Sequence, residues 1–258
     1  MKTALHILKV GGHLVNDADA LEEVLTAFAD LEGAKLLVHG GGRHATALAK
    51  QLGISPKMVD GRRITDAAML EVAVMSYAGL SNKKIVSQLQ KQGVNAVGLT
   101  GADGNCIESV KRPVTDIDYG FAGDITQVNT AVFASLTAQN FVPVLCAITH
   151  DNNGQLLNTN ADTIAAQVAK AMSEEYDVTL FYCFEHAGVL KDINKPLNVI
   201  SQLSKEAAET YTKAGVIHQG MVPKLHNGFD ALENGVKEVV ISNIAALLDI
   251  NAPKTTLI

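Results

Sequence analysis

The sequence predicts an α/β protein: a three-layer α/β/α sandwich around a central, mostly parallel sheet, with β-hairpins projecting from it. Three observations predict it. Hydrophobic residues make up 47% of the 258 residues and aromatic residues only 5%, a balance that suits aliphatic strands buried on both faces. Short apolar runs alternate with helically periodic segments. Glycines gather where apolar runs give way to helices, as in KVGG (9–12) and VHGGG (38–42).

The first strand is read at residues 4–10 and the first helix at 18–31, where Leu21, Val24, Leu25, Phe28 and Leu31 share one face. A second strand at 35–38 leads into a helix at 43–52. Two separate helices follow at 67–79 and 82–92, then a strand at 94–99. A helix at 129–139 precedes a strand at 141–147, a helix at 161–172 and a strand at 178–183. Helices at 205–214 and 222–234 lead to the last expected strand, 236–242. Segments 55–65, 104–129 and 149–158 are polar and glycine-punctuated. They read as hairpins, the last turning at Asp151-Asn-Asn-Gly154. In open α/β sheets ligands bind beyond the carboxyl ends of the strands, so these insertions are expected to wall a site. Residues 1–258 read as a single domain, two lobes sharing one sheet.

Net charge is -6 without a Lys/Arg block, which argues against nucleic acid or anionic membrane as partners. Cys106, Cys146 and Cys183 are odd in number and widely spaced, with no CxxC pair; buried reduced thiols are expected. There is no basic segment followed by an apolar one at the start, and no apolar stretch approaches the ~18–20 residues of a membrane span. The expectation is a cytoplasmic protein.

Five segments carry chemistry. In KVGG, Lys9 ends the first strand and Gly11 and Gly12 make the turn. In HGGG, Gly41 and Gly42 do the same after the second strand. Glycine removes the Cβ, and free amides at a helix start attract anions. Neither segment is GxGxxG or GxxxxGK[ST], and each alone is equally read as a tight βα turn. Arg63 in GRRIT is a candidate carboxylate clamp, since guanidinium binds carboxylate through two parallel hydrogen bonds. In LNTNAD, Asn158 or Asn160 is the expected helix cap and Asp162 falls in the first turn. In GMVPK, Pro223 starts a helix and Lys224 opposes its dipole, a local cost that hints at another purpose. Together these are parts that phosphoryl transfer uses: cations for developing charge and amides for phosphates. An ionised carboxylate acceptor needs no general base.

With KVGG (9–12), VHGGG (38–42), GRRIT (61–65), GLTGADG (98–104), GFAGDITQVN (120–129), LNTNAD (157–162) and GMVPK (220–224) in order, the chain resembles the amino-acid kinase family over nearly its whole length. It is most similar to the branch that phosphorylates N-acylated glutamate in arginine biosynthesis. The resemblance implies a lobe at about 1–172 for the N-acylglutamate and a lobe at about 173–258 for ATP, with Mg2+ bound through the phosphates. By the same motifs Lys9 and Lys224 would stabilise the transition state and Asp162 would orient both. Gly41, Gly42, Arg63 and Asn158 would bind the acyl-amino acid, and Gly11 and Gly12 would face the transferred phosphoryl group. Glu185, where the family carries aspartate, joins Lys9 and Lys224 on the ATP side; no residue is assigned to a metal.

Phe184, Glu185, Gln219 and Ala102 depart from the family pattern and put the nucleotide side in question. Arg62 stands where leucine is usual. It is a further candidate substrate residue and suggests N-succinyl-L-glutamate as an alternative to N-acetyl-L-glutamate. A non-catalytic small-molecule sensor with the same fold is the other alternative. The sequence begins at the first strand, without the extra helix of arginine-inhibited hexamers, so a homodimer without arginine feedback is expected.

Overall fold

The computed structural model describes residues 2–59, 62–192, 195, 198–217, 220–249 and 251–258. Gly61 and Gln219, both named above, lie outside them.

β1 (Thr3–Val10) is followed by a short α1 (Gly12–Asn16) and by α2 (Ala18–Asp30); β2 (Ala34–His39) leads into α3 (Gly42–Gln51). A hairpin of β3 (Lys57–Val59) and β4 (Arg62–Ile64) precedes α4 (Ala67–Val74) and α5 (Asn82–Lys91), which a π-helical stretch, Met75–Ser81, joins into one continuous helix. Next come β5 (Ala96–Leu99), β6 (Ile107–Lys111), β7 (Gly123–Val128), α6 (Thr130–Ala138), β8 (Val142–Leu145), β9 (Ile148–His150) and β10 (Leu156–Asn158). After them stand α7 (Ala161–Met172), β11 (Tyr176–Cys183), β12 (Gln202–Leu203), α8 (Lys205–Lys213), α9 (Val222–Glu233), β13 (Glu238–Ser242), α10 (Ala245–Leu248) and β14 (Thr255–Leu257).

Eight strands form the main sheet in the order β12-β14-β13-β11-β1-β2-β8-β5. All neighbours run parallel except β13 and β14. Strand order reverses between β1 and β11. β2, β8 and β5 extend one way from that point, β13 and β14 the other, and a crevice opens there at the carboxyl ends. Alternation along the strands assigns each side chain to a face. Leu5, Ile7, Leu36, Val38, Val178 and Leu180 pack on the face that α3, α4, α7 and α9 cover. Leu8, Val10, Leu37 and Cys183 pack on the face of α2 and α5. Lys9 follows the odd-numbered set of β1 and so faces α7.

The structure differs from the sequence reading at three places. The helices expected at 67–79 and 82–92 are not separate, because the π-helical stretch carries the chain through Gly79. The two later hairpins do not project singly: they merge into a four-stranded sheet, β10-β9-β6-β7, joined by the parallel pair Glu108 and His150. β12 and β14 extend the main sheet beyond the strand expected to be last. The turn at 151–154 forms as read, with Asp151 Oδ1 accepting from the amides of Asn153 and Gln155. All three cysteines are buried and free, and burial pushes each thiol up to about 12. Among the described residues, no helix is long and apolar enough to cross a membrane.

Candidate active site

At the strand-order reversal lies a cavity of about 580 Å³. Lys9, Gly11, Gly12, Gly42, Arg63, Glu185 and Lys224 all line it. Asp162 does not line it but stands behind the two lysines. Lys9 arrives from the end of β1, Lys224 from the first turn of α9 and Asp162 from the first turn of α7. Asp162 Oδ1 is 2.7 Å from Lys9 Nζ and Oδ2 is 3.0 Å from Lys224 Nζ. One carboxylate thus spaces two ammonium groups. Asn160 fixes its helix by accepting from the amides of Asp162 and Thr163. Asn160, and not Asn158, is therefore the cap.

Lys9 and Asp162 are each 6% exposed. Burial pushes the Lys9 ammonium below its usual value, against the pull of Asp162, and Lys224 adds to the lowering. Burial alone would raise Asp162, but the two lysines outweigh it and hold the carboxyl below the usual carboxylate range.

The helices that open onto this space, α1, α3 and α9, begin without a side-chain cap, so their first amides lack an intrahelical partner. A Cβ on Gly12 would meet nothing within 4 Å, whereas one on Gly11 would lie 3.3 Å from the Cys183 carbonyl oxygen. Gly12 faces open cavity; Gly11 is glycine because β11 passes behind it. Arg63 donates to the Gly42 carbonyl at 2.9 Å and to Thr46 Oγ1 at 2.8 Å. Among the described residues it has no carboxylate partner. A guanidinium held by neutral groups is free to take an anion from the cavity.

Gly41, Asn158 and Arg62 do not line the cavity. Asn158 donates to Thr65 Oγ1 at 3.0 Å and so braces the strand that carries Arg63. Arg62 is exposed and, next to Arg63 on β4, points to the opposite side. Sequence reasoning missed Thr46, although it stands one helical turn after Gly42. It also missed that Val216 and Ile217, which carry no motif, complete an apolar far wall with Val189 and Leu190. That wall is pinned by β14: Thr255 Oγ1 accepts from the Val189 amide at 2.8 Å and donates to the Ile200 carbonyl at 2.6 Å.

His39 of the HGGG segment is fully buried. Its Nδ1 donates to the Gly40 carbonyl at 2.8 Å and its Nε2 accepts from Asn82 Nδ2 at 3.1 Å. Burial lowers it to about 4, so the fold holds the neutral ring. Between about pH 6.5 and 4 the unfolded chain binds a proton that the folded one refuses, and stability falls as pH falls through that window. The expected contribution is on the order of 3 kcal/mol. Urea unfolding of wild type and His39→Asn across pH 7 to 4 checks it: the variant should show a flatter decline.

Two lysines on one buried aspartate, beside glycine turns and an unpaired guanidinium, are an arrangement suited to phosphoryl transfer, here set on an α/β/α sheet. Consistent with this, residues 5–243 match the model of the amino acid kinase family, and the chain belongs to that family. Its relatives include the acetylglutamate kinase of Phocaeicola vulgatus, 54% identical over 96% of each chain. That of Methanopyrus kandleri is 34% identical over 95% of this chain and 97% of its own. The carbamate kinase of Giardia lamblia, solved with AMP-PNP, shares the fold with a TM-score of 0.68 at 16% identity, over 98% of both chains.

Proposed function

We propose that the protein phosphorylates the side-chain carboxylate of N-acetyl-L-glutamate with ATP, giving N-acetyl-L-glutamyl 5-phosphate and ADP, a step of arginine biosynthesis. The observation that carries this is Asp162 gripping Lys9 and Lys224, both of which line a cavity that runs from Arg63 to the far wall. The N-acylglutamate lies at the Arg63 end, in the lobe of residues 1–172. ATP lies against the far wall, in the lobe of 173–258.

Arg63 binds a carboxylate of the acceptor, and the Gly42 end of α3 sets its height. An oxygen of the side-chain carboxylate attacks the γ-phosphorus. The new O–P bond forms as the bond to the β,γ-bridging oxygen breaks, and ADP leaves with that electron pair. Lys9 and Lys224 lie beside the transferring group and offset its charge; Asp162 holds them apart and takes no proton. Among the described residues no group of three or more His, Cys, Asp or Glu is placed to hold a metal ion. Mg2+ would be carried by the phosphates, where it neutralises charge.

N-succinyl-L-glutamate is a second reading. Arg43, which lines the cavity next to Gly42, supports it better than Arg62 does. MgATP-dependent ADP release with both substrates, the acyl phosphate being trapped by hydroxylamine, tests both readings. Turnover with either supports the kinase and their ratio names the acyl group; no turnover in folded protein rejects it. We also place the protein in the cytoplasm, as the buried free thiols suggest, and read it as a homodimer. Exposed Met75 (48%) and Leu80 (39%) on the π-helical stretch support that reading. Light scattering should give twice the mass of the chain, and a monomer or hexamer would contradict it.

A further inference from the structure

Gly41 has a φ of 175° and a ψ of 13°, but backbone conformation is not all that excludes a side chain there. The ring of Tyr77 does so too. A Cβ on Gly41 would lie 2.6 Å from Tyr77 Cδ1 and 3.0 Å from Cε1. Tyr77 is 4% exposed. Burial pushes its phenol up, and the Arg63 guanidinium facing it pulls it part of the way back. One buried ring therefore meets the HGGG turn with its edge.

The ring reaches this place because of the π-helical stretch. An extra residue in one turn rotates the side chains beyond it by about 100°, and such bulges recur at functional sites. Asn82, directly after the same stretch, donates to His39 Nε2 at 3.1 Å and to the Val144 carbonyl at 2.9 Å. The HGGG segment is thus held from below at Gly41 and from the side at His39 by one helical irregularity.

We propose that Tyr77, presented by the π-helical stretch, is a positioning residue for the acceptor: its ring sets the Gly41–Gly42 turn that Arg63 grips through the Gly42 carbonyl. The proposal rests on the kinase reading above and adds what holds the acceptor half in register. Steady-state kinetics for both substrates, with circular-dichroism melts, on wild type, Gly41→Ala and the double variant Gly41→Ala/Tyr77→Ala tests it. Gly41→Ala should lose about 100-fold in kcat/KM, as a misplaced reactant group does. Removing the ring in the double variant should recover about tenfold of that loss.

A folded double variant no better than Gly41→Ala would overturn the proposal while wild-type turnover keeps the kinase reading. A folded wild type that turns over neither acylglutamate overturns both.

Discussion

Asp162→Asn is expected to abolish measurable turnover and to destabilise the protein by about 3–5 kcal/mol, the usual cost of removing one partner from a buried ion cluster. The cost comes from what stays behind. Lys9 is 6% exposed and its ammonium is already disfavoured by burial; without the carboxylate nothing offsets that burial. The pH dependence follows from the same group. Its folded value is depressed below 3.8, so its stabilisation is fully present above the unfolded value. It is lost only as pH falls below the ordinary carboxylate range. Urea titrations at pH 7 and near pH 3 should show the difference between wild type and Asp162→Asn shrinking toward acid. A variant that unfolds like wild type at pH 7 would remove Asp162 from the role assigned to it.

Lys224→Met is expected to lower kcat by about 10²–10³-fold, the range for removal of a single preorganised charge donor, with KM for both substrates nearly unchanged. The fold should survive. Lys224 is more exposed than Lys9, at 17% against 7% of side-chain surface, and Asp162 keeps Lys9 as a partner. Retained melting temperature with lost ADP release would separate a kinase from a sensor of the same fold. A kcat within tenfold of wild type would place Lys224 outside the transition state.

The strands and helices were legible where periodicity is strong, as in Leu21, Val24, Leu25 and Phe28 of α2, all buried as the spacing requires. The π-helical stretch was not legible. Its extra residue leaves no mark on composition, and Gly79 reads as a break when nothing crowds it. β14 was missed for a related reason: a three-residue strand is too short to carry a pattern. At the site, Lys9, Asp162 and Lys224 stood out as charges at element ends, where solvated faces do not explain them. Gly41 was read as a substrate contact; it does not line the cavity, and its close neighbour is Tyr77, 36 residues downstream in a segment with no motif. Arg62 and Arg63 were indistinguishable as neighbours in sequence; strand alternation separates them by sending one to the cavity and one to solvent. Val216 and Ile217 of the far wall were illegible because aliphatic residues give no chemical signal.

The clasp of Thr255 on the loop after β11 has a consequence for synthesis on the ribosome. Chains grow from the amino end and fold as units while they emerge. A nascent chain that has released residues up to 240 already carries Lys9, Asp162 and Lys224. Yet the Val189 amide has no Thr255 to donate to, and Gly188, at φ +153° against that threonine, has nothing to close upon. The wall that would cradle ATP stays unassembled until β14 slots in beside β13. Arrest and pulse proteolysis of nascent chains should find the 184–190 loop cut readily until Thr255 clears the exit tunnel, and resistant afterwards. Messages broken upstream of that codon would then yield protein with its three charged residues but no clasped nucleotide wall.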